Sequence, residues 1–491
     1  MITKLFYSVI VFILSVGAFG AHDEIIDRMI KSKVVIDQQA ALVHESMVEK
    51  RPLTGRELYD INAAAAERMK TRAEAYAIFS KDFDLVKEPI KKNFTITDEK
   101  LKSLILSLSV AVTLYDTTLY TYHQFHGNPK LRRLLNESDS AFRRENDTFD
   151  KSIKGLFSMK NILYFNRAIK IFKTYYLENA SRNDDSELQK ASHIIQASYL
   201  YYHFKNPETT NLKKDFFLLL ITRIKISSKA KYDFFRYLAN SIVYNGSKLF
   251  GNIVGGFQKR HGLLHHDQNF LATVESKIRP MDILLEKTPF RLTDQFIPGY
   301  WGHAAIYLGT QEDLERLGIW DHELVQKYAE EIEDGKYVVE ALRDRVKMNS
   351  LDHFSDIDDF ALLRLRTEMT DKQIAEHILR ALSHVGKKYD FNFDVETGDK
   401  IVCSELHYRT YIDIRFNTST YLGRSTISVD QVAEQAASHM PFAPVLLYIQ
   451  GLEIDEDNIQ NTFNELLKSN DKSKEKSDER EQVNTDNLEA A

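Results

Sequence analysis

The chain has 491 residues, of which 43% are hydrophobic and 11% aromatic, so it is rich enough in apolar side chains to fold and is not a largely disordered protein. This length exceeds what one hydrophobic core normally organises, which favours two domains. A formal net charge of −6 spread over the whole chain indicates no basic surface, so we expect no nucleic-acid partner.

The first twenty residues are typical of an export signal. Lys4 supplies a positive charge, the uncharged run "LFYSVIVFILSV" follows, and the small residues Ala18 and Gly20 favour cleavage near Gly20. The run is shorter than the roughly 20 apolar residues of a membrane span, although an uncleaved anchor helix stays an alternative. We therefore expect an exported protein in the periplasm or cell envelope, which is compatible with peripheral association with the envelope.

Residues 22–265 are predicted to form an all-α domain of unassigned role. Apolar residues recur every three or four positions in "DEKLKSLILSLSVAVTLYDTTLYTYHQF", with similar stripes in "SELQKASHIIQASYLYYHF" and "KKDFFLLLITRIKISSKAKYDFFRYLANSIVY". Asp98 and Ser186 are predicted helix starts. Proline is found where one predicted helix gives way to the next, at Pro89, Pro129 and Pro207.

After residue 278 the pattern changes to α+β, with a domain boundary between about 262 and 278. Short strands are predicted at "DILLEK", "HAAIYLG", "YVVEAL", "FALLRLR" and "PVLLYIQ", and helices at "DKQIAEHILRALSHVG" and "SVDQVAEQAASHM". This second domain is predicted over 278–452. The charged, polar tail 468–491 is predicted to be disordered.

The only cysteine of the chain, Cys403, lies in "DKIVCSELHYRTY" at a predicted helix start. Exported proteins usually pair their cysteines as disulfides, so a lone thiol indicates either a reactive group or a small buried hydrophobe. A helix N-terminus and an adjacent base are the features that activate a thiol. Helix N–H groups at this position would also stabilise an oxyanion.

Sixteen histidines are available as the base. His407 follows Cys403 by one helical turn, but side chains of one helix converge poorly for proton transfer. His303 opens the predicted strand "HAAIYLG", where it projects from one face together with Ala305 and Tyr307. A third group, "HGLLHHD", has a spacing that could bind a metal, but the sequence shows no second ligand set. We therefore predict no metal and no cofactor.

Taken together, these segments resemble the circularly permuted NlpC-type papain-like hydrolases of the YiiX/YaeF-like branch. The resemblance covers about 278–450 and rests on "RPMDILLE", "GHAAIYLG", "YVVEAL", "GKKYDF" and "CSEL", with the histidine before the cysteine. It implies a papain-like domain with a small antiparallel sheet and packed helices. The N-terminal helical domain lies outside the resemblance.

The resemblance also implies site residues. Cys403 would be the nucleophile, His303 the general base and Glu340 of "VVEAL" the group that orients the imidazole. Asp344 and His353 are alternatives for that third position. In "GKKYDF" the family's loop before the cysteine is matched by Tyr389 and Asp390, which are expected either to shape the substrate groove or to be structural.

The sequence departs from the family pattern at two places. Met281 stands where the family has glycine before Asp282. The long segment "TQEDLERLGIWDHELVQKYAEEIEDGK" is inserted between the histidine strand and the Glu340 strand, where it could form a helical flap over the site. Neither departure removes a catalytic group. Glu405 of "CSEL" is expected to stabilise the first turn of the cysteine helix.

The sequence thus predicts an exported cysteine hydrolase that cleaves an amide, with cell-wall peptide as the leading substrate. A lipid or acyl amide or ester hydrolase, or an acyltransferase on the same triad, is the second hypothesis. The third is a non-catalytic binding or scaffold protein in which the helical domain acts. A separation of more than about 6 Å between Cys403 and His303 would favour that third hypothesis, because catalytic partners approach hydrogen-bond reach.

Overall fold

The computed structural model describes residues 20–90, 93–156, 158–178, 185–204, 260–291, 299–390, 393–421 and 424–468. The predicted signal segment up to residue 19 and the predicted disordered tail from residue 469 lie outside the described residues. So does the predicted helical stretch within 205–259.

The described chain divides into two compact units. The first contains residues 20–41, 64–132 and 149–204. The second contains residues 260–468 together with two stretches from the helical region, 42–63 and 133–148. Residues 42–63 and 133–148, which the sequence assigns to the helical domain, therefore belong to the same unit as the sheet.

The described part of the chain before residue 205 is helical, as predicted. Its helices are Ala21–Val48, Gly55–Ser80, Asp84–Lys87, Asp98–Phe125, Pro129–Asn136, Thr148–Leu156, Met159–Phe172, Ser186–Ala197 and Tyr199–Phe204, with a π-helical turn at Lys173–Leu177 and a 3₁₀ turn at Ser140–Phe142. Both predicted starts, Asp98 and Ser186, are the first residues of their helices, and their caps are Thr97 and Asp185.

The helix Asp98–Phe125 forms the core of the first unit. Leu104, Ile105 and Leu108 are fully buried and belong to one apolar cluster with Ile169. By length and hydropathy this helix could cross a membrane, but 78% of its most apolar window is buried inside the protein. A core helix of a water-exposed domain has the same composition, so the burial accounts for the apolar sequence.

The second unit is organised around a seven-stranded antiparallel sheet. Its strands lie side by side in the order Leu452–Glu453, Phe442–Ile449, Asp359–Leu365, Ile283–Lys287, His303–Tyr307, Val338–Ala341 and Val346–Asn349. All five predicted strands are present in it. The strands of the unit are β1 Ile283–Lys287, β2 His303–Tyr307, β3 Val338–Ala341, β4 Val346–Asn349, β5 Asp359–Leu365, β6 Lys388–Tyr389, β7 Lys400–Ile401, β8 Ser419–Tyr421, β9 Arg424–Thr426, β10 Phe442–Ile449 and β11 Leu452–Glu453.

Short helices pack around this sheet. They are Gln268–Lys277, Gln311–Arg316, Glu323–Gln326, Ala329–Glu333, Leu351–Phe354, Asp371–Ser383, Cys403–Thr410 and Val429–Ala433, followed by 3₁₀ turns at Glu434–Ala436 and Glu456–Asn458. Phe270 of the first of these helices packs edge-on against Phe360 of β5, with ring centroids 5.1 Å apart. The helix Cys403–Thr410, named the cysteine helix below, packs on β2 and β3.

The stretch 42–63 is held to the second unit by backbone hydrogen bonds close to the cysteine helix. The N–H of Leu53 donates to Glu396 at 2.8 Å, and the hydroxyl of Tyr408 donates to the carbonyl of Leu53 at 2.6 Å. A Cβ on Gly55 would lie 2.1 Å from the carbonyl oxygen of Tyr408, so only glycine permits this approach.

The stretch 133–148 is held by charge. Lys387 donates to Asp139 at 2.7 Å, and both side chains are completely buried. Arg133 donates to Asp394 and Glu396 at 2.9 and 3.0 Å. An uncompensated buried charge is strongly destabilising, so these pairs fix the position of the stretch within the unit.

The backbone conformation at Met281 accounts for the glycine that the family pattern has at this position. Its φ is +69°, in the left-handed region that glycine adopts without strain, and its side chain is buried. The neighbouring Asp282 accepts two hydrogen bonds from Arg364, at 2.9 and 2.5 Å, and one from the N–H of Arg279 at 2.8 Å. Asp282 therefore ties the start of β1 to β5, which is a structural role.

The inserted segment 310–336 is helical, as the sequence suggested, but it is not a flap over the site. Its helices include Gln311–Arg316 and Glu323–Gln326, and the latter packs against Asp371–Ser383. The hydroxyl of Tyr328 donates to the carbonyl of Val385 at 3.3 Å. The segment thus covers the helical layer.

Candidate active site

Strand register brings His303 and Glu340 together. Ala305 of β2 lies opposite Glu340 of β3, and His303 is two residues before Ala305. Because side chains alternate along a strand, His303 and Glu340 project from the same face of the sheet. His303 Nε2 lies 2.8 Å from Glu340 Oε2, and both side chains are largely buried.

Asn349 completes the support of Glu340. It lies on β4 opposite Val338, two residues from Glu340, and its side-chain amide donates to Glu340 Oε1 at 2.7 Å. Both carboxylate oxygens are therefore engaged, one by the imidazole and one by the amide. Burial would raise the pKa of Glu340, but the bonds to His303 and Asn349 lower it below its usual range.

Cys403 is the first residue of the cysteine helix and is buried. It lines the same cavity as His303, and its sulfur acts electrostatically on that imidazole. Burial alone would lower the pKa of His303. The charge of Cys403, the bond to Glu340 and the charge of Glu286 together raise it well above its usual value.

The cavity has a volume of about 450 Å³. Among its described lining residues, only Ala341, Leu342 and Phe354 have purely hydrocarbon side chains. The others are polar or charged, apart from a glycine: His265, His266, Glu286, Thr288, Arg291, Gly302, His303, Glu340, Arg343, Ser350, Asp352, His353, Asp356, Tyr389 and Cys403.

Tyr389 and Asp390, the two residues predicted to bind substrate, are placed differently. Tyr389 lines the cavity, and burial, together with the charges of Cys403 and Glu405, raises its pKa well above the usual value. Asp390 is fully buried and is not among the described residues that line the cavity. Its carboxylate accepts from the N–H of Asp394 at 3.0 Å and so holds the turn that leads to β7.

Asp344 and His353, the two alternatives to Glu340 as the group that orients His303, have different surroundings. Asp344 is half exposed and pairs with Lys347 at 2.7 Å. His353 lines the cavity, and its charge acts on Glu340. Glu340 is the carboxylate that bonds the ring of His303.

His407 turns away from the thiol, as its position in the helix suggests. Its Nδ1 lies 2.9 Å from the carbonyl oxygen of Cys403 and its Nε2 lies 3.2 Å from that of Ala305. Complete burial lowers its pKa to about 4. Its neighbour Glu405 accepts from the N–H of Val402 at 3.1 Å, so it stabilises the start of the cysteine helix as expected.

Sequence reasoning missed Glu286 and Asn349. Glu286 of β1 lies directly opposite His303, and its charge raises the pKa of that histidine. The signal in each case is a strand register, since Asn349 is likewise two positions along β4 from the residue opposite Glu340. Register is set by pairing between distant strands, which one sequence does not display.

An antiparallel sheet with a helix packed on it that begins at a cysteine is consistent with a papain-like fold. Residues 277–489 match the family described as permuted papain-like amidase enzyme, YaeF/YiiX, C92 family. The C-terminal domain is therefore a permuted papain-like domain of the YaeF/YiiX family. Neither the curated proteins nor the solved structures include a match to this chain.

Proposed function

We propose that the protein is an exported cysteine amidase that cleaves a polar amide, with cell-wall peptide as the leading substrate. The observation that carries the proposal is the placement of His303, which bonds Glu340 and lines one cavity together with Cys403. Polar and charged residues around the cavity, such as Arg291 and Asp352, offer partners for the polar groups of a peptide. Export rests on the apolar N-terminal segment.

In the proposed reaction, His303 takes the proton of Cys403 and the sulfur attacks the amide carbonyl carbon. Because Nε2 is bonded to Glu340, Nδ1 is the nitrogen left for this proton. The first N–H groups of a helix have no acceptor within it, and that of Cys403 lies beside the attacking sulfur, so we assign it to the developing oxyanion.

The tetrahedral intermediate collapses when the C–N bond breaks, and the imidazolium gives its proton to the departing amine. A water molecule then attacks the thioester carbonyl while His303 takes one of its protons. The C–S bond breaks, the sulfur regains a proton, and the carboxylic acid product leaves. Glu340 stabilises the imidazolium in both halves of the reaction.

Because the chain has a single cysteine, alkylation reports this one thiol. We expect iodoacetamide at neutral pH to alkylate the native protein about tenfold or more faster than the urea-unfolded protein, since a neighbouring base activates the thiol. The rate should fall in His303→Ala and Glu340→Gln and persist in Asp344→Asn. Equal rates in wild type and His303→Ala would contradict the proposed base.

The substrate is tested by incubating the full-length protein with peptidoglycan fragments and with lipid amides, and reading the products by mass spectrometry against Cys403→Ala. New amine and carboxylate ends in the peptidoglycan fragments support the proposal. Turnover of lipid amides alone would change the proposed substrate from a peptide to a lipid amide and would leave the proposed triad unchanged. No product from either, with slow alkylation of the thiol, would favour a binding protein.

A further inference from the structure

Two histidines and a carboxylate converge at the wall of the cavity. His261 Nδ1 and His265 Nδ1 lie 3.4 and 3.7 Å from the same oxygen, Asp356 Oδ1. The three ligand atoms all lie within 4.8 Å of one another. We propose that His261, His265 and Asp356 bind a divalent transition-metal ion of the Zn²⁺ type.

The distances favour a shared ion over direct hydrogen bonds. A hydrogen bond between nitrogen and oxygen is about 2.7–3.2 Å long, which is shorter than either separation. Two ligand atoms at about 2.0–2.2 Å from a tetrahedral ion are roughly 3.3–3.6 Å apart. The nitrogen of His265 is also buried and has no hydrogen-bond partner among the described residues. A metal ion would satisfy it.

The two imidazoles lie side by side next to Asp356. The rings of His261 and His265 stack with centroids 4.1 Å apart and planes 7° apart, and each Nδ1 lies within 3.7 Å of Asp356 Oδ1. Because the lone pair of Nδ1 lies in the plane of its ring, one ring turns out of the stack when both nitrogens bind the same ion.

The backbone around these histidines is fixed to the turn that carries Asp356. The N–H of Gly262 donates to Asp356 Oδ1 at 2.7 Å, and the N–H of Leu264 donates to the carbonyl of Ile357 at 3.0 Å. A Cβ on Gly262 would lie 2.2 Å from the nitrogen of Ile357, so the close approach requires glycine. The backbone that carries the ligands is thus fixed before any ion binds.

The second oxygen of Asp356 is held separately. Arg291 donates to Asp356 Oδ2 at 3.1 Å, which leaves Oδ1 directed at the histidines. Hydrogen bonds to the far side of a ligating carboxylate are the usual outer support of a metal site. Two imidazoles and one carboxylate suit Zn²⁺ or Co²⁺, whereas Mg²⁺ and Ca²⁺ prefer oxygen ligands throughout.

His265 and Asp356 also line the cavity that contains Cys403. Three protein ligands leave a fourth position of a tetrahedral ion open. That position is available to water or to a carboxylate or carbonyl oxygen of a substrate.

The neighbouring His266 supplies a matched control. Its Nδ1 lies 2.7 Å from Asp352 Oδ1, a normal hydrogen-bond distance, so it is not one of the three ligands, although its ring packs on that of His265 with centroids 3.9 Å apart. Cys403 and His303 are a second possible zinc site in the same cavity. The titration is therefore done in full-length Cys403→Ala, which removes that thiol and does not depend on catalysis.

After treatment with EDTA, Zn²⁺ is titrated into Cys403→Ala by calorimetry, and Co²⁺ is added to record its visible absorption. We expect one equivalent of Zn²⁺ and a Co²⁺ spectrum of tetrahedral type. Adding His261→Ala or His265→Ala should weaken binding by about 100-fold or more, and Asp356→Asn by about tenfold or more. His266→Ala removes a ring that packs on His265 but no ligand, so it should weaken binding less than either histidine ligand variant.

Thermal unfolding without metal identifies any variant that fails to fold, and Zn²⁺ should raise the melting temperature of the parent but not of a folded His265→Ala variant. Absence of stoichiometric binding in Cys403→Ala overturns the proposal. Unchanged affinity in both histidine variants also overturns it. Loss of binding in His266→Ala equal to that in His265→Ala would contradict the assigned ligand set.

Discussion

The two sides of the cysteine helix each bury a histidine, but their surroundings act on the imidazole in opposite directions. On the cavity side, His303 bonds the carboxylate of Glu340, and the pKa of His303 is raised well above its usual value despite burial. On the core side, His407 faces two backbone carbonyl oxygens, and burial lowers its pKa to about 4. Neighbouring charge therefore decides which imidazole can hold a proton.

The carboxyl groups on the two sides differ in the same way. The pKa of Glu340 is lowered by its bonds to His303 and Asn349 despite burial. Burial and the charge of Asp390 raise the pKa of Glu405 well above its usual value. The cavity side thus favours the charged forms that acid–base chemistry needs, and the core side favours the neutral forms.

The largest expected effect comes from Glu340→Gln, which removes the charge that distinguishes the cavity side. We expect kcat/KM to fall on the order of 10²–10⁴-fold, because the imidazolium loses its stabilising partner. The loss of Glu340 also lowers the pKa of His303, so the alkaline limb of the pH profile should move to lower pH. Asp344→Asn is the matched control, and an unshifted limb in Glu340→Gln would contradict the role of Glu340.

The next largest effect is expected for the buried pair of Asp139 and Lys387, which lies within electrostatic reach of Arg409 of the cysteine helix. Asp139→Ala leaves Lys387 buried without its partner, so the free energy of unfolding should fall by about 3–5 kcal/mol. Urea unfolding measures this change. The double variant Asp139→Leu with Lys387→Met should recover most of the loss, and failure to do so would show that packing rather than charge was disturbed.

The core-side histidine should make the protein sensitive to acid. Because the folded pKa of His407 is about 4, below the unfolded value of 6.5, the unfolded chain binds the proton first as pH falls. This residue should cost up to about 1.4 kcal/mol of stability for each pH unit between those two values. The slope should be smaller in His407→Gln by urea unfolding across this range. The folded pKa of His303 is raised, so this residue should stabilise the folded protein as pH falls. The variant His303→Gln should lack that stabilisation at low pH.

The smallest effect is expected for Glu405→Gln, which keeps the acceptor for the N–H of Val402 and removes the charge. Near pH 5 the free energy of unfolding should change by less than about 1 kcal/mol. Because the folded pKa of Glu405 is raised, the wild type should lose stability relative to the variant as pH increases above the usual carboxyl range. A variant that becomes relatively less stable at higher pH would contradict this sign.

Much of the second unit was predictable because its signals are local. The strands around Leu284 and Phe360 have short apolar runs bounded by turns, and the start of the cysteine helix follows from the run before Cys403. The family resemblance supplied His303 and Glu340. Local pattern also gave the helix starts at Asp98 and Ser186 in the described helical region.

The missed residues depend on contacts between distant segments. Asp356 meets His261 and His265 only because two turns pair through their backbones, and no spacing in the chain records that pairing. Glu286 reaches the site through the register of β1 with β2. The conformation of Met281 could not be predicted for another reason. A glycine in the sequence indicates that a positive φ is possible, whereas a methionine gives no such indication.

The inclusion of residues 42–63 and 133–148 in the second unit has a consequence for dissecting the chain. The family match begins at residue 277, but a fragment cut there would lack Asp139 and Leu53. Lys387 would then be left with an uncompensated charge in the interior, and the backbone contact to Tyr408 would be lost. We therefore expect a stably folded fragment to need residues well before 277, so the limits of the family match and of independent folding differ in this chain.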